Sequence, residues 1–418
     1  MRRRARSLVD QTFTSLRIRN FRLFFVGQLI SQSGSWLTLI AQTLLVLRLT
    51  HNSGIAVGAL MACQFGPVLA LGAYGGAIAD RVDKRTLLLV TQTAAMAQSF
   101  ALGIVVFAHV ASVPVIYGLA AVQGIVTAFD NPSRRAFVVE MVPDSEVNNA
   151  VSLNSAIMTG SRVVGPAIAG GLVISVGFGW CFTLDAVSYV AVLYGLWRMN
   201  PAELNRAPRT ARSPGQVRDG VRYIREHRQL FVPLVMMTIV GTLAFNFSVT
   251  LPLLVKKTLH GSDATFTLLF SVLSVGSLAG ALSTARRRQV TLRNLVLASA
   301  GFGVAMLALA AAPTLALGFL AAVALGFASV SFMTASTTIV QVAAGPEYRG
   351  RVLAIQAMVF LGSTPIGGPL VGAVADLAGP RAAIAVGGLA CLAAAVYALG
   401  SERAYRATRE RAVVTTVA

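Results

Sequence analysis

Two ionisable side chains lie deep inside apolar stretches of this chain, and both are of kinds that bind anions or move protons. Arg162 falls about halfway along Val147–Ser175, too deep for its guanidinium to reach an interface easily. Ser152, Ser155, Thr159 and Arg162 recur at helical spacing, so a polar face is expected to run into the bundle and end at the arginine. Three partners suit it: an anionic substrate, a proton-linked group, or a structural acid or set of carbonyls. Asp185 is the one acid well inside an apolar stretch, Gly179–Met199. Burial disfavours the charged form of a carboxyl, which makes Asp185 a candidate proton carrier. The other role open to it is that of an asparagine-like hydrogen-bonding group. Arg162 and Asp185 differ in depth by roughly 10 Å of helix, which argues against a direct pair.

Neutral chemistry comes from two polar stripes. Gln28, Ser31, Ser35, Thr38 and Gln42 step by three and four residues, and Thr238, Thr242, Asn246 and Thr250 step by four. Thr38 and Gln42 precede Thr242 and Asn246 by 204 residues. Such stripes either line a polar cavity or join helices, and their recurrence at one offset favours a shared cavity. Trp36, Gln123, Phe245 and Phe332 would add amide and aromatic surface. Amides, hydroxyls and aromatics with one arginine fit a bulky neutral or anionic small molecule.

Other chemistries lack their residues. Cys63, Cys181, Cys391 and four scattered histidines show neither metal-ligand nor disulfide spacing, so no metal or cofactor is expected. There is no GxxxxGK[ST] segment to cradle a nucleotide. No paired acids or histidine cluster supports a membrane-embedded enzyme.

These residues must be held by helices in a bilayer. Of 418 residues, 55% are hydrophobic and 12% charged, with mean hydropathy +0.70; soluble domains are typically about 25% charged. Twelve apolar stretches are long enough to span: Phe21–Leu49, Gly54–Ala79, Thr86–Val110, Val113–Asp130, Val147–Ser175, Gly179–Met199, Leu230–Val255, Ala264–Ala285, Leu292–Ala311, Thr314–Val340, Val352–Ala375 and Ala382–Gly400. The first is too long for a cleaved signal. An all-α membrane protein follows, and a barrel of short alternating strands does not.

The net charge of +19 tests this count. Of 35 lysines and arginines, 30 fall in or beside the N-terminal arm, the loops after even-numbered spans and the tail. Four (Arg48, Lys256, Lys257, Arg381) fall on the other side, and Arg162 is the last. Positive charge gathers on the cytoplasmic side, so both termini and the central loop are expected there, against anionic lipid. The charge describes topology and does not call for nucleic acid.

The expected organisation is an arm (1–20), a six-span bundle (21–199), a basic linker (200–229), a second six-span bundle (230–400) and a tail (401–418). In the linker Val217, Val221 and Ile224 recur at helical spacing among Arg218, Arg222, Arg225 and Arg228. This is either a basic amphipathic helix on the cytoplasmic face or a solvated tether. The halves echo each other. Gly72 and Gly76 recur as Gly276 and Gly280, while Asp80 becomes Thr284 and Arg85 becomes Gln289. Pro166, in GPAIAGG (Gly165–Gly171), precedes Pro369, in GPLVG (Gly368–Gly372), by 203 residues. Two parallel six-helix repeats imply a pathway between them, opened alternately to either side. Gly165, Pro166 and Gly170, with Gly368 and Pro369, mark bent or closely packed helices.

Gly76–Arg85 reads GAIADRVDKR and resembles the loop 2–3 signature of the major facilitator superfamily, G-x-L-a-D-R-x-G-R-K/R. Asp83 stands where the pattern has glycine, a departure shared by the drug:proton antiporter branch that includes the enterobactin exporter. FRLFFVGQLISQSGSW (Phe21–Trp36), FDNPSRRAFVVEMV (Phe129–Val142) and NNAVSLNSAIMTGSRVVGPAIAGGL (Asn148–Leu172) are similar to that branch too. The resemblance covers nearly the whole chain and implies a cytoplasmic gate at Gly76, Asp80, Arg81 and Arg85. In that gate Asp80 meets span 11, and the two arginines form ion pairs around it. The bland alternative, a topology anchor, does not need the aspartate. The Gly-Pro motif of span 5 implies export. In the family's R-x-x-Q-G motif of span 4, Gln123-Gly124 is present but Ala120 replaces the arginine, so proton coupling through that residue is not implied.

The function expected is alternating-access export of a drug-like or siderophore-like small molecule in exchange for protons, by a monomer in the inner cell membrane. Import or uniport of a metabolite, or flipping of a lipid-linked substrate on the same fold, are the alternatives.

Overall fold

The computed structural model of the chain describes residues 13–205, 216–285, 289–345 and 347–417. Six helices come first: α1 Arg19–Leu49, α2 Gly54–Ala79, α3 Lys84–Phe107, α4 Val113–Glu140, α5 Val147–Ser175 and α6 Gly177–Arg198. A linker helix, α7 Gln216–Glu226, leads to α8 Arg228–Leu243 and α9 Phe247–Leu253. Then follow α10 Asp263–Ala285, α11 Leu292–Ala311, α12 Leu315–Ala343, α13 Arg349–Leu377 and α14 Pro380–Val417. No strand occurs among the described residues. Among the described residues, eleven membrane-spanning candidates emerge from length and apolarity, with α8 and α9 counted as one. The remaining expected span, α5, is a continuous 29-residue helix. The chain is an all-α, multi-pass membrane protein, as its composition requires.

Several boundaries differ from those read in the sequence, for local reasons. The fourth span runs ten residues past Asp130, because Phe137 and Val138 are buried and the Ser133 hydroxyl donates to Phe129 O at 2.7 Å across Pro132. The third begins at Lys84, since the Asp83 carboxylate accepts from Thr86 N at 2.8 Å and caps the helix. The seventh is broken at Ala244–Asn246 between α8 and α9. The twelfth continues through the expected tail to Val417. Three of the scattered histidines also find a role. His51, His109 and His260 follow α1, α3 and the α9 segment with φ of 50–56°, in left-handed turns that end helices.

The chain divides into two compact units. Unit 1 holds Met1–Asn52, Ala59–Ala211 and Asp263–Ser271; unit 2 holds Ser53–Gly58, Arg212–Ser262 and Val272–Ala418. The first turns of α2 and α10 therefore each belong to the unit opposite the rest of their helix.

Within the units, glycine lets repeat-related helices touch in the same way. In unit 1 a Cβ on Gly75 would strike the Ala128 carbonyl, joining α2 to α4. In unit 2, Cβ atoms on Gly276, Gly280 and Gly326 would strike the Val323, Phe327 and Leu273 carbonyls, joining α10 to α12. The echo of Gly72 and Gly76 is a packing signal, but Gly72 faces open space and the tight contact falls at Gly75.

The linker forms the amphipathic helix its spacing predicts, and the apolar side of that helix rests on protein. Ile224 is buried with Leu230, Val340 and Val352. Tyr223 stacks on Tyr348 at 4.1 Å between ring centres, and its hydroxyl accepts from Gly345 N at 3.2 Å. Arg218 and Arg222 stay exposed.

Gly326→Val would force a side chain into the Leu273 carbonyl. It is expected to cost about 1–3 kcal/mol, read as a lower melting temperature in detergent. Gly118→Ala, where nothing lies within 4 Å, serves as the neutral control.

Candidate functional site

Unit 1 gathers a buried carboxyl and its hydroxyl partners from three helices. Asp185 of α6 is 1% exposed. Its Oδ2 accepts from Thr38 Oγ1 of α1 at 2.5 Å and from Ser99 Oγ of α3 at 2.7 Å. Ser188 Oγ lies 3.5 Å from Oδ1 and donates to the Asp185 carbonyl at 2.7 Å. A Cβ on Gly34 would stand 2.7 Å from Oδ1, so the glycine makes room for the carboxyl against α1. Among the described residues these partners are hydroxyls and none is a cation. Hydroxyls serve either protonation state, donating to a carboxylate and accepting from a carboxylic acid. That is what a group that gains and loses a proton in place requires.

The stripe of α1 runs through this site. Ser35 Oγ lies 3.3 Å from the Tyr189 hydroxyl and donates to Ser31 O at 3.1 Å. Thr38 and Ser35 thus join α1 to α6. Gln28 and Gln42 are buried, and their Nε2 atoms have no hydrogen-bond partner among the described residues. Trp36 packs where Gly165 of α5 leaves space, and its ring lies 6.2 Å from that of Phe270. Gln123 is half-buried and its Oε1 has no partner among the described residues, while Gly124 beside it packs on the Gln64 carbonyl.

On α5 only part of the polar face is described. Ser152 and Ser155 are exposed and donate to Asn148 O and Val151 O, so the described part of that face points out of the core of unit 1. The side chains of Thr159 and Arg162, and Gly170, lie outside the described residues. Helix α5 runs unbroken through Pro166.

In unit 2 the donors of the second stripe turn back on their own helix. Thr238, Thr242, Asn246 Nδ2 and Thr250 each donate to the carbonyl four residues earlier, at 2.7–3.2 Å. Asn246 is buried, and its Oδ1 is unpaired among the described residues. Phe245 sits within 5.1–6.5 Å of Phe302, Phe332 and Phe360, with Phe332 fully buried. On α13, Gly367 approaches the Thr242 carbonyl, and Gly368 with Pro369 meets Gly58 of α2.

Two features escaped the sequence reading. Asp130 is buried and accepts from Thr91 Oγ1 at 2.9 Å and Gln92 Nε2 at 2.6 Å, while pairing with Arg134 one turn on. Its i, i+4 spacing from Arg134 was the available signal, hidden because the span was ended at Asp130. The second is the job of the basic residues after Asp80. Arg85 Nε and Nη2 donate to Leu196 O and Trp197 O at 2.7 and 3.1 Å, closing the C-terminus of α6. The ion pair expected around Asp80 is thus replaced at Arg85 by a helix cap. Lys84 pairs with Glu140 at 2.6 Å, tying α3 to α4. Asp80 is half-buried at the end of α2, and Arg81 is exposed.

Six-helix repeats around buried polar groups, in a chain of membrane-spanning helices, define a membrane transporter of the major facilitator class. The family profile described as transmembrane secretion effector matches residues 10–412, and the chain belongs to that family. The staphyloferrin A transporter of Staphylococcus aureus is 27% identical over 86% of this chain and 90% of its own length. Macrolide efflux protein A of Streptococcus pyogenes is 24% identical over 86% of this chain and 91% of its own. Among solved structures, a bacterial homologue of the lysosomal transporter Spinster superposes with a TM-score of 0.71 at 16% identity, covering 92% of this chain and 97% of that one. A D-xylose–proton symporter gives 0.68 at 14% identity, covering 92% and 97%. The protein is a transporter and not an enzyme.

Asp185→Leu leaves the Thr38 and Ser99 hydroxyls buried without their acceptor, at an expected cost of about 1–3 kcal/mol each. Asp185→Asn keeps an acceptor there. Thermal melting in detergent should fall clearly for the leucine variant and little for asparagine.

Proposed function

We propose that this transporter exports a bulky drug-like or siderophore-like small molecule in exchange for protons, by alternating access across the inner cell membrane. The arm, linker and tail lie on the cytoplasmic side in this reading. The named relatives, a staphyloferrin A transporter and macrolide efflux proteins, support the substrate class and direction. The observation that carries proton exchange is Asp185: a buried acid held only by hydroxyls among the described residues, in a chain where Ala120 replaces the family's span-4 arginine. Substrate would meet the unpaired amide atoms of Gln28, Gln42, Gln123 and Asn246, with Trp36 and Phe245 as aromatic surface. Arg162 is the candidate for any anionic group it carries. Asp80 would hold the cytoplasmic gate.

In proteoliposomes loaded acid inside, uptake of a substrate chosen from a macrolide and siderophore panel should release protons. Asp185→Asn should abolish that release. Uptake indifferent to the pH gradient removes proton exchange from the reading, and directional uptake of lipid alone would favour a flippase.

Asp80→Asn loses a charged acceptor, and charge-assisted hydrogen bonds are worth about 1.5–3 kcal/mol. Turnover should therefore fall about tenfold or more with normal membrane insertion. Unchanged rates at equal amounts of inserted protein would exclude the gate role.

A further inference from the structure

Helix α3 of unit 1 has two chemically distinct faces. The inward one carries Thr91, Gln92, Gln98 and Ser99, all buried. The outward one carries Thr86, Val90, Thr93 and Ala97, all exposed. These outward side chains are short, and with Leu89 and Ala94 they line a shallow groove of about 460 Å³. From Thr86 to Ala97 the groove runs roughly 16 Å. That is about half the hydrocarbon core of a bilayer, the depth of one leaflet.

Helix α6 supplies the shoulder of the groove. Ser99 Oγ meets Asp185 Oδ2 at 2.7 Å and Arg85 Nη2 meets Trp197 O at 3.1 Å, so α3 and α6 run antiparallel. That register brings the outward face of α3 alongside Val187, Val190, Tyr194 and Trp197, whose exposures are 52–67%. Short side chains on α3 therefore lie beside large ones on α6. Towards the other end of α6, Trp180 is also exposed and packs on Phe107 with ring centres 5.5 Å apart. Trp180 and Trp197 lie roughly 25 Å apart along the helix, the placing of tryptophans at the two interfaces of a bilayer. The groove thus ends at an interface, beside Trp197.

Two cations stand at that end. Arg198 is exposed and makes no hydrogen bond or ion pair among the described residues. Arg85 uses Nε and Nη2 on the Leu196 and Trp197 carbonyls, which leaves its Nη1. The nearby acid, Asp83, already accepts from N and Oγ1 of Thr86 at 2.8 and 2.9 Å. We propose that this groove and its cations are a binding site for an anionic phospholipid. One acyl chain lies along α3 against Tyr194, and the phosphate meets Arg198 and Nη1 of Arg85 in the cytoplasmic leaflet. An apolar groove alone accepts any acyl chain; the paired cations at its mouth select the anionic headgroup. The site needs neither substrate nor proton exchange.

The test is native mass spectrometry of the delipidated full-length chain, titrated in detergent with phosphatidylglycerol or phosphatidylcholine. One phosphatidylglycerol should bind about tenfold or more tightly than phosphatidylcholine. Arg198→Gln should weaken phosphatidylglycerol about tenfold, as loss of a charge-assisted contact predicts, and leave phosphatidylcholine unchanged. Thr93→Phe combined with Ala97→Phe fills the groove from two exposed positions and should abolish binding of the first lipid. Equal affinity for the two lipids, or no change in Arg198→Gln, overturns the proposal. Glycerol phosphate binding as tightly as the lipid overturns it too, since the groove would then contribute nothing. A dimer that the phenylalanine pair dissociates would give this face to a second copy, and also overturns it. Should the phenylalanine pair melt without a cooperative transition, Arg198→Gln alone decides.

Discussion

Within the hydrocarbon of a bilayer no water is present to satisfy a polar group, so each must find its partner inside the protein. Nearly every local feature of this chain answers that constraint. It is why the spanning elements are helices, and why serine and threonine in them turn back to carbonyls one turn earlier, as at Thr127, Ser133, Thr238 and Thr242. It is why Asp185 is ringed by hydroxyls from α1 and α3. It also makes the exceptions informative. Among the described residues, Nε2 of Gln28 and Gln42 and Oδ1 of Asn246 lack a partner on the two stripes, Gln42 and Asn246 at equivalent positions, and atoms of Gln64, Gln92 and Ser161 lack one elsewhere. Groups buried without partners are costly, and under the proposed function the partner of the stripe atoms is the substrate.

The charged decapeptide divides under the same logic. Its second half is fastening: Asp83 starts α3, Lys84 ties it to α4, and Arg85 closes α6. These contacts hold unit 1 together and need no transport cycle to explain them. What remains for a gate is Asp80 with Arg81. In the second copy, the position of Asp80 is Thr284, whose hydroxyl donates to Gly280 O at 3.0 Å. A group that can reach across to another element has been replaced by one satisfied within its own helix. The repeats therefore share their glycine packing but not this chemistry.

Much of the fold was legible because apolar length, glycine spacing and basic loops are long-range, redundant signals. Twelve stretches, their order and the repeat could be read without any contact being known. Asp185 was legible too, since a lone acid in an apolar helix is conspicuous. Its cage was only half so: Thr38 belonged to a visible stripe, but Ser99 is one serine among many, selected by where α3 crosses α6. Asp130 was concealed by an early boundary, because Pro132 and two arginines read as loop, whereas buried Phe137 and Val138 carry the helix on. Asp376 and Lys257 read as ordinary loop charges. Nothing local signals that two residues 119 apart in sequence form an ion pair at 2.9 Å.

The two segments that change units, Ser53–Gly58 and Asp263–Ser271, are the first turns of repeat-related helices. They are held in chemically different ways. The α10 turn is held in unit 1 by Arg48–Asp263 at 2.7 Å, whose arginine side chain is 58% exposed, and by Phe270 against Trp36. Exposed ion pairs contribute about 0–1 kcal/mol. The α2 turn is held in unit 2 by a carboxylate on two backbone amides, a hydroxyl and an ammonium, over a seam of touching backbone. Charge-assisted bonds of that kind are roughly twice as strong as neutral ones, and the glycine seam positions the acid without side-chain entropy of its own. The two helix starts thus differ: Asp376 of α13 caps the start of α2, whereas the acid at the start of α10, Asp263, is that helix's own first residue and pairs with Arg48.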